Sequence, residues 1–151
     1  MPQIRKMQKE DIPQMAEIAA ASFTDPWTEK GFTEALQMES AYFLVAVEGE
    51  NVMGYCGCYM AADEAEIVNV AVRDDCRKQG IADKLLMELT AYGNEHGVSR
   101  FYLEVRVSNE AAIHLYEKHG FIRQGVRKDF YKDIHEDAYV MNHIKIGRAS
   151  C

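Results

Sequence analysis

No stretch of the 151-residue chain approaches the ~18 consecutive apolar residues that a membrane-spanning helix requires. The opening Met-Pro-Gln-Ile-Arg-Lys also lacks the apolar segment of a signal peptide, so neither secretion nor membrane insertion is expected. Proline is scarce, at 3 residues, and no repeat, low-complexity tract or Pro/Ser-rich linker divides the sequence. One domain over residues 1–151 is the expectation, within the usual domain size of roughly 100–150 residues. Basic charge is in deficit: 17 Lys and Arg stand against 24 Asp and Glu, a net charge of -7. That argues against a general nucleic-acid binder and leaves a surface suited to a basic partner. Cys56, Cys58, Cys76 and Cys151 form no Cys-x-x-Cys pair and have no histidine at ligand spacing. They read as reduced thiols of a cytoplasmic protein, with neither a disulfide framework nor a metal site.

What is present is a hydrophobic fraction of 48%, enough for a core that needs no covalent staples. Ile12, Met15, Ala19 and Phe23 recur at helical spacing, with Asp11 as a cap and Pro13 tolerated in the first turn. Asp25-Pro26-Trp27 breaks that helix, and Thr28 can cap a short second one carrying Phe32, Ala35 and Leu36. Tyr42–Val47 and Val52–Met60 are β-rich runs around a Glu48-Gly49-Glu50-Asn51 turn, and Ala65–Val72 extends them into an antiparallel meander. The period then changes: Ile81, Leu85 and Leu89 mark a helix ending between Gly93 and Gly97. Phe101–Val105 is a strand, Asn109–His119 a helix stopped by Gly120, and Phe121–Gln124 and Asp137–Ile144 are closing strands. A strand-helix-strand passage from Glu66 to Val105 implies a parallel pair with a right-handed crossover inside a mixed sheet. The fold class is therefore α/β (α+β), with helices packed around that sheet.

Two segments can carry chemistry. In Val70-Ala71-Val72-Arg73-Asp74-Asp75-Cys76-Arg77-Lys78-Gln79-Gly80-Ile81-Ala82, a basic turn joins a strand to the first turn of a helix. Helix N-termini carry unpaired N–H groups and a positive dipole end, so this turn is either a plain connection or a cradle for a pyrophosphate. It matches neither the Walker A loop nor the three-glycine dinucleotide fingerprint. In the second segment, Glu104 interrupts an apolar-aromatic strand, where it either pairs with an arginine or serves as a base in a cleft. Asn109 reads as a helix cap or a ligand contact, and Tyr116 as a core residue on the stripe with Ala112.

Taken together, the segments resemble a known family. Arg77-Lys78-Gln79-Gly80-Ile81-Ala82 is similar to the R/Q-x-x-G-x-G/A signature of the GNAT superfamily of acetyl-CoA-dependent N-acetyltransferases. Leu103-Glu104-Val105-Arg106, Ser108-Asn109, Ala112, Leu115-Tyr116-Glu117-Lys118 and Gly120-Phe121 resemble the bacterial ribosomal-protein-alanine N-acetyltransferases and related protein N-terminal acetyltransferases. Pro26-Trp27-Thr28-Glu29-Lys30, Glu136-Asp137-Ala138 and Met141 extend the likeness, which runs in register over roughly residues 3 to 144.

That resemblance implies a mainly antiparallel sheet splayed between its fourth and fifth strands, with acetyl-CoA in the gap. Val70, Ala71 and Val72 would meet the pantetheine as an added strand would, and Arg77, Lys78, Gln79, Gly80, Ile81, Ala82 and Asp83 would hold the pyrophosphate. Asn109 would reach the co-substrate as well as cap its helix. Glu104 would be the base, directly or through water, and Tyr116 the acid for the leaving thiolate. Backbone amides of the fourth strand would stabilise the oxyanion. An α-amine is mostly protonated at pH 7 and an ordinary glutamate is a weak base, so a raised Glu104 pKa or a water relay is expected. Pro26, Trp27 and Tyr131 would line the peptide groove, although Trp27 is equally readable as a core anchor. Ala82 stands where a second glycine is common, and Phe130 where relatives often carry a tyrosine, which puts one peptide contact in doubt. The implied acceptor is the basic N-terminus of a ribosomal protein, the eighteenth of the small subunit. The alternatives are other protein N-termini, lysine side chains or a small amine, and then a non-catalytic acetyl-CoA-binding module.

Overall fold

The computed structural model describes residues 2–144, so Cys151 and its expected reduced thiol lie outside the described residues. In chain order the elements are β1 (Gln3–Lys6), α1 (Ile12–Ser22), α2 (Glu29–Leu36), β2 (Ala41–Glu48), β3 (Asn51–Ala61), β4 (Glu64–Val72), α3 (Ile81–Glu95), β5 (Arg100–Arg106), α4 (Glu110–Lys118), β6 (Ile122–Tyr131) and β7 (Glu136–Ile144). The strands form a single seven-stranded sheet in the order β1-β2-β3-β4-β5-β7-β6. Every neighbouring pair is antiparallel except β4–β5. This is the mixed, mainly antiparallel sheet flanked by helices that the sequence predicts.

The β4–β5 joint is short. Glu64, Ala65 and Glu66 pair with Arg100, Phe101 and Tyr102, and no pairing follows, although β4 continues to Val72 and β5 to Arg106. On its other edge β4 stays paired with β3, with a bulge at Val68: Gly57 faces Asn69 and Cys58 faces Ile67. Past the bulge, the Arg73 N–H donates to the Met53 carbonyl at 2.8 Å. Antiparallel pairing alternates along a strand, so Ala71 also faces β3 while Val70 and Val72 turn their backbone groups toward the gap.

Both faces of the sheet are covered. On one, Leu85, Leu86 and Leu89 of α3 are fully buried against Leu44, Cys56, Ile67, Phe101 and Leu103. On the other, Met15 and Ile18 of α1 and Phe32 of α2 pack on Phe43, Val45 and Tyr55. Each such side chain contributes roughly 1.5–3 kcal/mol by burial, so both helix layers are firmly held to the strands. Among the described residues, no helix is long and apolar enough to cross a membrane.

The structure departs from the sequence expectation at particular places. Strand β1 was not predicted: it is a four-residue edge strand whose one buried-side Ile4 leaves no readable alternation. Strand β6 runs to Tyr131, well beyond the predicted Gln124, and is exposed along almost its whole length. Its Arg-Lys-Asp composition carries no core pattern to read. Asp11 precedes α1 but does not cap it with its side chain. Its buried carboxylate instead accepts from Arg5 at 2.7 and 2.9 Å and from the Gln8 N–H at 2.7 Å, tying β1 to the start of α1. Burial alone would push that carboxyl up, but Arg5 and Gln8 outweigh it and hold the pKa below the ordinary value. Thr28 occupies the cap position of α2 without a capping bond from its hydroxyl.

Gly57 faces the bulge, and a methyl group there would lie 2.2 Å from the Phe43 ring. Gly57→Ala is therefore expected to destabilise the protein by about 1–3 kcal/mol through overpacking. Urea unfolding should show a lower midpoint at an unchanged slope.

Candidate active site

At the gap's upper end the chain leaves β4, passes through a short 3-10 turn at Asp74–Cys76 and enters α3. Lys78 (φ 64°) and Gly80 (φ 77°) both take left-handed backbone and tighten this connection. The first N–H to close the α3 ladder is that of Lys84, on the Gly80 carbonyl at 3.1 Å. Those of Ile81, Ala82 and Asp83 thus have no helical acceptor, and they sit at the positive end of the helix dipole. A cavity of about 480 Å³ opens here between α3 and α4, lined by Val70, Ala71, Val72, Arg77, Lys78, Gly80, Ile81, Ala82, Asp83 and Asn109 among others. Gln79 lies exposed in the turn and does not line it. The Arg77 guanidinium bonds the Asp74 carboxylate at 3.1 Å and the Val72 carbonyl at 3.4 Å.

Asp83 has a structural role beside its place in the lining. His119 Nε2 lies 2.7 Å and Lys118 Nζ 3.1 Å from its carboxylate, clasping the start of α3 to the end of α4. The His119 hydrogen bond, against the opposing effect of burial, holds the Asp83 carboxyl below its usual range. Asn109 Oδ1 accepts the Ala112 N–H at 3.2 Å and so caps α4, leaving the amide NH₂ available toward the cavity.

A second cavity, of about 290 Å³, opens lower in the gap. Its walls come from the α1–α2 connection (Thr24, Asp25, Trp27), from β4 (Glu66, Asn69), from β5 (Glu104, Arg106) and from the end of β6 (Phe130, Tyr131). Phe23, Val70, Asn109, Ala112 and Tyr116 line both cavities, so the two are halves of one cleft with Tyr116 at their junction. Trp27 lines the lower cavity and also packs 5.2 Å from Phe32 and 5.3 Å from Phe43. Pro26, next to it, is half-buried but lines neither cavity.

The Glu104 side chain is 14% exposed, and its Oε2 lies 3.4 Å from Nη1 of the more open Arg127. Glu104 thus has an arginine partner and also lines a cleft. Burial, and then the Glu66 carboxylate alongside, push the Glu104 pKa up, with Arg127 opposing them. Burial likewise raises the phenols of Tyr116 and Tyr131, which stay protonated at neutral pH. Sequence reasoning missed Glu66, Asn69, Asp25 and Arg127. Glu66 left a trace, as a charge inside a β-rich run, just as Glu104 did. Arg127 left none, because its strand has no core face.

The sheet is thus opened along one backbone edge, with an anion-ready helix terminus at one end of the cleft and an acid-lined cavity at the other, an arrangement suited to a group transferase. The acetyltransferase (GNAT) family profile matches residues 12–121, and the chain belongs to that family. It is 40% identical over 139 residues, 91% of this chain and 92% of the other, to a Bacillus subtilis (strain 168) protein proposed to be a ribosomal protein bS18-alanine N-acetyltransferase. It is 33% identical over 140 residues, 91% of this chain and 94% of the other, to the ribosomal protein bS18-alanine N-acetyltransferase of Escherichia coli (strain K12). The crystal structure of the ribosomal-protein-S18-alanine N-acetyltransferase from Escherichia coli superposes with a TM-score of 0.88 at 31% identity, covering 100% of this chain and 99% of that one.

Because the folded state raises the Glu104 pKa, the fold binds that proton more tightly than the unfolded chain does. The charged carboxylate therefore weakens the fold at pH values above its folded pKa. Glu104→Gln should raise Tm at pH 7, and the gain should vanish once the pH falls below the ordinary carboxylate value near 4.3. Scanning calorimetry across that range checks the sign.

Proposed function

We propose that the protein transfers the acetyl group of acetyl-CoA to the N-terminal α-amine of a protein, and that the natural acceptor is the N-terminal alanine of ribosomal protein bS18. The observation that carries the chemistry is the single cleft with Tyr116 at its waist and the half-buried Glu104 in its lower half. The acceptor assignment rests on the likeness to the bS18-alanine N-acetyltransferases, which runs over more than nine-tenths of the chain. An acidic enzyme of net charge -7 also suits a basic ribosomal protein approaching in the cytoplasm.

The residues present fit acetyl-CoA. The helical N–H groups of Ile81, Ala82 and Asp83, with Arg77 and Lys78, suit a pyrophosphate, and the gap-facing N–H groups of Val70 and Val72 suit carbonyl oxygens laid along β4. Gly80 and Ala82 leave room for close approach, and the Asn109 amide offers a further donor. Bound acetyl-CoA supplies a thioester carbonyl carbon for an amine lone pair to attack, with a thiolate leaving.

The chain's own residues then move the protons. Glu104, raised by burial and by Glu66, takes one from the acceptor's ammonium, directly or through a water, and frees the lone pair. Tyr116, kept protonated by burial, gives one to the thiolate. The N–H groups of β4 face the negative charge that grows on the carbonyl oxygen. Trp27 and Tyr131, both lining the lower cavity, flank the acceptor's backbone.

Glu104→Gln and Tyr116→Phe should each lower kcat by roughly 10²–10⁴-fold with acetyl-CoA binding unchanged. Peptides beginning with alanine should turn over, and the same peptides with a blocked α-amine should not. Acetylation that survives the block would defeat the N-terminal assignment.

A further inference from the structure

The lower cavity carries two polar groups that the mechanism above leaves without a binding task, both on its β4 wall. Glu66 is half-buried on the strand facing β5, and among the described residues it forms no salt bridge. The contrast with Glu64 is informative. That carboxylate, two residues earlier on the same strand, accepts from Arg100 at 2.9 Å. Asn69 lines the same cavity just beyond the bulge, and its Oδ1 is buried with no hydrogen-bond partner. Orphaned buried oxygens are uncommon, and a turn of the Asn69 amide would present this one to a donor in the cavity that the residue lines.

The groups that face Glu104 define what that donor is. From β4 come Glu66 and Asn69, and from β6 Arg127 and Tyr131. Arg106 and Tyr102 share its own strand, and Tyr116 comes from α4. Asp25 stands on the α1–α2 connection, and β7 presents only Val140 opposite Glu104. The β4 side therefore offers a carboxylate within hydrogen-bond reach of Glu104 and an amide oxygen without a partner, with the Asn69 NH₂ as its one side-chain donor. A primary ammonium carries three N–H donors besides its carbon and can bond one acceptor on each of these residues. A cation lets both carboxylates ionise side by side, whereas without one they share a proton.

We propose that Glu66 and Asn69 are the docking groups for the acceptor's ammonium, holding it against Glu104 before its proton is removed. Glu66 supplies the counter-charge, and Asn69 Oδ1 accepts a second N–H. One N–H bond then breaks as an O–H bond forms on Glu104, and the nitrogen keeps the electron pair. Glu66 also makes Glu104 a stronger base, because the proton it receives relieves repulsion between the two carboxylates. Val68 is the extra residue of the bulge, and this local insertion sets Asn69 beyond it where the cavity wall needs a polar group. The proposal rests on the reading of Glu104 as the site's base, and its test reads binding so that the two can fail separately.

The test is calorimetric titration of the CoA-bound protein with two peptides of one sequence, one with a free α-amine and one lacking that nitrogen. Glu66→Gln and Asn69→Leu should each weaken the amine-bearing peptide by about tenfold or more, the worth of a charge-assisted hydrogen bond. Neither should change the affinity of the desamino peptide. Asn69→Ala serves as a second variant should the leucine disturb β4. In turnover, Glu66→Gln should raise KM for the peptide more than it lowers kcat, and move the acid limb of kcat/KM to lower pH. Equal weakening of both peptides would mark the residues as structural, and no weakening of either would overturn the proposal. If the amine-bearing peptide alone loses affinity while Glu104→Gln keeps its turnover, docking stands and the base assignment falls.

Discussion

The backbone edge of β4 beyond Glu66 is the constraint from which the rest follows. A strand inside a sheet ordinarily satisfies its N–H and C=O groups on both sides, and leaving such groups unpaired away from water is costly. Here β3 holds one edge of β4 through Val72 while β5 turns away after three paired residues. The gap-facing groups of Val70 and Val72 need a partner that the chain withholds, apart from the Arg77 guanidinium on the Val72 carbonyl. A donor molecule with amides along its length can complete that edge. The α3 N-terminus lies at one end of the edge and Glu104 at the other, so a molecule aligned by β4 has its charged end and its reacting end placed by the same strand.

Much of this was legible in the sequence, for physical reasons that differ from element to element. The meander and the long helix announced themselves through period: Leu85 and Leu89 recur on one face of a helix, and Phe101, Leu103 and Val105 alternate along a strand. Both patterns exist because one face is buried. The basic turn at Arg77-Lys78 and the glutamate at 104 stood out by violating their surroundings. The resemblance in those two segments added the splay, which no periodicity could supply, since pairing that stops after three residues leaves the pattern of either strand unchanged. Where burial imposes nothing, the sequence said little. Strands β1 and β6 sit at the sheet's edges, and Asp11 met an arginine in β1 that helix rules do not anticipate. Arg127 reaches Glu104 only because β6 folds back beside β7, a relation between residues 23 apart.

Electrostatically the cleft divides into two halves of opposite character. The upper half pairs a helix dipole with Arg77 and Lys78, within a protein whose net charge is negative. The lower half gathers Asp25, Glu66 and Glu104, with Arg106 lining it as well and Arg127 beside Glu104. Such a division favours an anion at one end and a cation at the other. Tyr116 stands at the boundary of the two halves, neutral and buried.

The short parallel joint has a mechanical consequence as well. Strands β2 to β4 are linked by successive hairpins and held with β1 by α1, α2 and α3, whereas β5, α4, β6 and β7 join them through three residue pairs, the Asp83 clasp and a shared core in which Leu85 and Leu89 pack with Phe101 and Leu103. Beyond Glu66 the two groups of elements are therefore held together by side-chain packing and by no backbone pairing between β4 and β5. A molecule lodged in the gap bridges them, so occupancy of the cleft and rigidity of the fold are expected to rise together.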